Sequence, residues 1–483
     1  MRWSLVLVLS VLGAMLPPVS VAQVPNEKPD IVLIVTDDMN DADWRSLPKT
    51  RELLTSVYPN FFATDPMCCP SRASILRGEY PHNHGTLRND NRSGGWPSFR
   101  DQESKTISVW LQRAGYRTGL IGKYFNGYVF RGQRPPGWSY WFAKTDGGTF
   151  YDWEAVEQRK IQVYGDRTRD YEADVLSGKA RGFLRATRAD QPAFLYLAPK
   201  APHGPATPAR RHRGDCAGEE VPRTDNFNIR PENKPPHMES RPLSAREVNS
   251  LDSFEKRRQC SLKAVDDLVV DVHTALEARG RPYTIIFVSD NGYLMGNHAR
   301  NSKGVAYEEA TRITMRAFGS GFAPGVDQRL VANIDLAPTI AALAGTTPSA
   351  SVDGIDLRTS AREFLLLEGF GNEGSEWDGP GRATAASAET GELTPSGLVG
   401  DPPSTRPWRA VRSPDAVYIE TLQAGEPFRE FYDLEQDPDQ LTNRVFSDPP
   451  DPRVPLYAEM LEQLHDCAGS DCTVTVVPNT QRT

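Results

Sequence analysis

Four short apolar runs, each followed by a polar or charged group, constrain this chain more than any other feature. They are residues 30–36 (Asp-Ile-Val-Leu-Ile-Val-Thr), 116–122, 192–198 and 283–289 (Tyr-Thr-Ile-Ile-Phe-Val-Ser). Continuous apolar character fits strands buried on both faces, as in a sheet covered by helices. Between them, 104–114 predicts a helix, and 245–279 predicts a charged, solvent-facing helix or pair of helices. Alternation of the two kinds of segment predicts an α/β fold.

Residues 371–407 change character, being rich in Gly, Ser, Thr, Ala and Pro, and predict a long loop or linker. Beyond it, 408–434 predicts antiparallel strands and 452–466 a terminal helix. The expected organisation is a main unit over 23–370, a linker over 371–407 and a small C-terminal unit over 408–483. Residues 1–22 resemble a signal peptide: Arg2, an apolar stretch over 4–16, and Ser20-Val21-Ala22 before the cleavage point. Export to the periplasm or the extracellular space is expected, with no membrane span after removal of the leader; the other reading of the leader is an uncleaved anchor.

Export permits disulfides. Among the six cysteines, Cys216–Cys260 and Cys467–Cys472 are the favoured pairs, although spacing does not fix connectivity. That leaves Cys68 and Cys69 as neighbours. The formal charge of −8 is spread along the chain, which argues against a nucleic-acid partner. It leaves room for a cationic cleft that binds a small anion.

In an open α/β sheet, ligands bind beyond the carboxyl ends of the strands. Here those ends carry Asp37-Asp38, Lys123, His203 and Asp290-Asn291. Any one of them alone is an ordinary turn former or cap; as a set they predict one site. Asp37, Asp38, Asp290 and Asn291 offer only oxygen ligands, which suit Ca²⁺, or Mg²⁺, better than zinc. The segment Asp65-Pro66-Met67-Cys68-Cys69-Pro70-Ser71-Arg72, running on to Gly78, predicts a helix that stops at Gly78 and has Cys68 at its N-terminus, where an anion is favoured. The cysteines can also be read as a structural pair or as a reactive thiol.

Cys68-Cys69-Pro70-Ser71-Arg72, a Cys-x-Pro-Ser-Arg segment, resembles the sulfatase signature. Pro29 to Asp38, Gly122-Lys123, Ser289-Asp290-Asn291-Gly292 and Phe431-Tyr432-Asp433-Leu434 resemble further motifs of that family in the same order. The resemblance implies an alkaline-phosphatase-like fold, a large mixed sheet between helices with a small C-terminal sheet domain. It implies that Cys68 is oxidised to formylglycine by a separate maturation enzyme and becomes the nucleophile, and that Asp37, Asp38, Asp290 and Asn291, together with residue 68, hold Ca²⁺. Arg72 would steady the nucleophile, Lys123 and Lys303 would grip the sulfate oxygens, and His203 would sit near the leaving group. His298 is a lesser candidate for the same pocket.

One departure narrows the branch. Where many arylsulfatases have Gly-Lys-Trp-His, this chain has Gly122-Lys123-Tyr124-Phe125-Asn126, with Asn126 in the neighbourhood of the missing histidine. This version is similar to N-acetylglucosamine-6-sulfatases and extracellular heparan 6-O-endosulfatases, as are Pro222 to Asn228 and His82-Asn83-His84-Gly85; those two histidines also admit a loop-packing role. The implied substrate is a sulfated sugar such as N-acetylglucosamine 6-sulfate. The alternatives are a broad arylsulfatase, a phosphodiesterase or phosphonate hydrolase of the same superfamily, and an inactive sugar-binding homologue.

Overall fold

A computed structural model describes the protein over residues 27–89, 94–130, 132–145, 149–230, 232–238, 241–371 and 406–473. The signal-peptide reading of 1–22 and most of the 371–407 linker fall outside these residues.

The main sheet has ten strands: β1 (Asp30–Thr36), β2 (Ser56–Tyr58), β3 (Arg117–Gly122), β4 (Tyr140–Lys144), β5 (Trp153–Glu157), β6 (Lys160–Tyr164), β7 (Ala193–Ala198), β8 (Tyr283–Ser289), β9 (Met315–Gly319) and β10 (Gly325–Val326). Their order across the sheet is β10-β2-β9-β8-β1-β7-β3-β4-β5-β6. The central strands β8, β1, β7, β3 and β4 are parallel, while β9, β5 and β6 add antiparallel pairings, so the sheet is mixed.

All four predicted runs lie in this parallel centre, and every residue of β1 is buried. Side chains alternate across the sheet. Ile31, Leu33 and Val35 therefore pack into the core on one face, with Leu76 of α1 (Cys68–Arg77) and Trp110 of α2 (Ile107–Arg113). Val32 and Ile34 pack on the other, with Leu176 of α3 (Glu172–Ala186) and Val265 of α4 (Ala245–Glu277). The charged stretch expected as one or two helices is the single helix α4, started by a reciprocal cap between Ser244 and Glu247.

A second sheet has four antiparallel strands, β11 (Leu365–Gly369), β12 (Trp408–Arg412), β13 (Ala416–Thr421) and β14 (Phe428–Asp433), covered by α5 (Val454–Leu464). Its first strand precedes the 371–407 segment, so the sheet is assembled from both sides of it. The structure pairs Cys216 with Cys260 and Cys467 with Cys472, the favoured connectivity, and leaves Cys68 and Cys69 as buried thiols. Among the described residues no helix is long and apolar enough to cross a membrane.

Candidate active site

Parallel pairing of β1 with β8 sets Thr36 opposite Ser289 and brings the two acidic strand ends together. The Asp290 N–H donates to the Thr36 carbonyl at 3.0 Å, and the Asp38 N–H to Asp290 Oδ1 at 3.1 Å. Asp38 has a φ of 64°, a left-handed conformation uncommon for residues other than glycine. Arg258 of α4 donates to its carbonyl at 2.8 Å, and Asn291 Nδ2 to its Oδ1 at 2.7 Å.

Cys68 opens α1, and Gly78 closes that helix with a φ of 71°, the expected stop. The helix carries its Arg72 side chain onto Asp290, with Nε and Nη2 each 2.9 Å from Oδ2. Ser71 Oγ donates to the Asp290 carbonyl. Cys68 Sγ lies 3.5 Å from Asp37 Oδ1 and 2.9 Å from Lys303 Nζ. Lys303 also reaches Asp38 Oδ1 at 2.6 Å, and Lys123 reaches Asp37 Oδ2 at 2.7 Å. His203 Nδ1 donates to the Gly204 carbonyl at 2.9 Å, which turns Nε2 to within 3.7 Å of Asp38 Oδ2.

Ligand atoms of Asp37, Asp38, Cys68 and Asp290 all lie within 4.8 Å of one another, and the four residues are buried. Asn291 Oδ1 is buried beside them with no hydrogen-bond partner among the described residues. An oxygen-rich group with an unused amide acceptor fits a hard divalent cation.

The electrostatics reflect this crowding. Burial raises the Asp37 carboxyl, but Lys123, His203, Arg72 and Lys303 together hold it well below the usual carboxylate range. Asp38 is lowered against burial by Lys303 and His203. Asp290 is raised by burial and by Asp37, in spite of Arg72. Burial pushes the Cys68 thiol well up, although Lys123 and Lys303 oppose it. An unmodified Cys68 is therefore a protonated thiol at neutral pH and a poor nucleophile.

Of the predicted residues, the structure brings Asp37, Asp38, Cys68, Arg72, Lys123, His203, Asp290, Asn291 and Lys303 together. His298 is not in this cluster. It lies with Asn226, whose carbonyl accepts its backbone N–H at 2.8 Å, with Tyr307 at a ring-centroid distance of 4.5 Å, and with Glu309 at 4.0 Å. Asn126 touches the neighbouring cysteine through its backbone, its N–H lying 3.3 Å from Cys69 Sγ. His82 and His84 pack loops: His82 binds Glu368 and the Cys467 carbonyl, and His84 binds Ser74.

Sequence reading missed Arg258, which supports Asp38 and pairs with the buried Asp43. A signal was present, because Glu255 and Arg258 fall at helical spacing on the same face as the apolar Leu251 and Leu262. Buried charges on an apolar face call for partners.

A mixed sheet whose parallel centre carries carboxylates at its carboxyl edge, facing a residue at a helix N-terminus inside a ring of cations, defines a hydrolase of anionic esters. The chain belongs to the sulfatase family, whose model matches residues 29–346, and is a sulfuric ester hydrolase. It is 32% identical to N-acetylglucosamine-6-sulfatase from Homo sapiens, over 96% of this chain and 89% of that one. Its fold is similar to that of a protein solved in complex with its substrate D-glucosamine-2-N,6-O-disulfate, with a TM-score of 0.72, 19% identity, and coverage of 90% of this chain and 97% of that one. A phosphonate monoester hydrolase of Agrobacterium radiobacter shares the fold at a TM-score of 0.64 and 18% identity, with coverage of 90% and 95%.

Proposed function

We propose that this enzyme removes sulfate from a sulfated amino sugar of the N-acetylglucosamine 6-sulfate type, using residue 68 in its formylglycine form and a divalent cation, Ca²⁺ by preference. The observation that carries the reading is Cys68 at a helix N-terminus with Lys303, Asp37 and Lys123 around it, in a chain similar to N-acetylglucosamine-6-sulfatase over 96% of its length.

Asp37, Asp38, Asp290 and Asn291, with residue 68, would hold the cation, which when bound supplies positive charge to an anion in the cleft. Formylglycine, as its hydrate, supplies one hydroxyl for attack on sulfur and a second for release of sulfate. Around it, Lys123 and Lys303 neutralise charge on the sulfate oxygens at sites already occupied by their ammonium groups. Arg72 fixes Asp290 next to residue 68 by its paired contact and opposes the burial and the Asp37 charge that raise its pKa. His203, with Nδ1 committed to Gly204, presents Nε2 and, once protonated, passes that proton to the departing sugar oxygen.

Maturation of residue 68 by a formylglycine-generating enzyme is part of this reading, as is export directed by residues 1–22. So is the division into a main unit over 23–370 and a small unit over 408–483, with β11, at the end of the first range, completing the sheet of the second.

The test is one preparation assayed on N-acetylglucosamine 6-sulfate, 4-nitrophenyl sulfate and 4-nitrophenyl phosphate mono- and diesters. The reading expects the highest kcat/KM on the amino-sugar sulfate. Preference for 4-nitrophenyl sulfate would leave a broad arylsulfatase, and preference for the phosphodiester would overturn sulfate as the substrate group.

A further inference from the structure

Lys303 is delivered to the site by a stretch without regular structure, between the short strand Asn301–Ser302 and the helical turn Glu308–Thr311. Its neighbour Gly304 has a φ of 79°, so the chain turns sharply just after the lysine. The second sheet grips this stretch. The indole N–H of Trp408, on β12, donates to the Gly304 carbonyl at 2.9 Å. Tyr307 donates to Glu430 of β14 at 3.0 Å, and Arg412 of β12 reaches Glu308 at 2.9 Å.

Trp408 is itself fixed. It is 3% exposed and stands opposite Gly369 in the β11–β12 pairing. A Cβ on Gly369 would meet the indole Nε1 at 2.4 Å, so glycine at 369 is what lets the ring lie flat enough to reach Gly304. The two ends of the Trp408–Gly304 contact come from opposite sides of the 371–407 segment.

We infer that Trp408 is a positioning residue for Lys303: its N–H pins the carbonyl of the residue after the lysine and so sets where the ammonium lies against residue 68 and Asp38. The second sheet thereby acts on the active site through Lys303. The inference rests on the proposed role of Lys303 in gripping sulfate.

The test is a double-mutant cycle of Trp408→Phe and Lys303→Ala in the full-length, matured protein. Its readouts are kcat/KM on 4-nitrophenyl sulfate and the inhibition constant for inorganic sulfate. Phe keeps the ring and removes the N–H. Loss of one hydrogen bond predicts a roughly three- to tenfold fall in kcat/KM and a parallel weakening of sulfate inhibition. In the Lys303→Ala background the same change should matter by less than about twofold, because residues acting through one group do not add. Gly369→Ala, which crowds the indole without altering it, should reproduce the pattern and carries the test if Trp408→Phe does not fold. Equal losses in both backgrounds, or no loss in the wild-type background, would overturn the positioning role. Undiminished activity of Lys303→Ala would instead overturn the role assigned to Lys303 itself.

Discussion

The Lys303 ammonium lies 2.9 Å from Cys68 Sγ, joining the nucleophile position to Asp38 Oδ1 at 2.6 Å on the other side. Both partners are buried, so water screens these charges little. In the proposed mechanism a fixed cation there stabilises charge that develops on residue 68 and on the sulfate oxygens. Lys303→Ala should lower kcat about 10²–10³-fold, the usual cost of one such donor. Steady-state kinetics on a chromogenic sulfate ester checks this, with circular dichroism to confirm folding. A variant within threefold of wild type would contradict the role.

Asn291 Oδ1, without a hydrogen-bond partner among the described residues and beside three carboxylates, predicts that a cation binds the folded chain and not the unfolded one. Dialysis against a chelator should abolish turnover and lower the melting temperature, and Ca²⁺ should restore both. At a hundred times its Kd the ion would add about 2.7 kcal/mol. Asn291→Ala should weaken that Ca²⁺-dependent shift in scanning fluorimetry. An unchanged melting temperature with and without Ca²⁺ would speak against the site.

His82 is held between Glu368, at 2.9 Å, and the Cys467 carbonyl. Burial works against its charge, but the Glu368 carboxylate prevails and raises its pKa above the ordinary 6.5. The folded state therefore binds the proton more tightly than the unfolded one. That stabilisation is complete below pH 6.5 and is lost as pH rises through the folded-state value. His82→Gln should destabilise more at pH 5 than at pH 9, as read from urea midpoints at the two pH values. An equal loss at both would show that the charge contributes nothing.

The Cys216–Cys260 bond spans 44 residues and ends two positions beyond Arg258, the residue that supports Asp38. Closing a loop of this length constrains the unfolded chain by about 4 kcal/mol in the chain-entropy account. Replacing both cysteines by alanine should lower stability by about 2–4 kcal/mol, seen as a lower denaturant midpoint. A shift below about 0.5 kcal/mol would show that the crosslink is mechanically idle.

Much of this site was legible because its residues follow buried strands. β1, β3, β7 and β8 stood out as apolar runs, and Asp37, Lys123, His203 and Asp290 are tied to their ends by chain connectivity alone. Lys303 lies on no regular element, and only the family resemblance brought it in. Arg258 was missed because its significance depends on helix α4 crossing behind Asp38, a tertiary relationship. His298, near the right motifs, lies toward Asn226 and Tyr307 and outside the cluster around Cys68. The contribution of β11 to the second sheet was hidden because its partner strand β12 lies beyond the long 371–407 segment.

The proposed mechanism requires residue 68 to be an oxidised cysteine. Mass spectrometry of the peptide spanning residues 65–72, taken from protein of measured specific activity, tests it directly. The prediction is an aldehyde or its hydrate in place of the thiol, in a fraction that tracks activity across preparations. Fully active protein in which Cys68 is an unmodified thiol would contradict it.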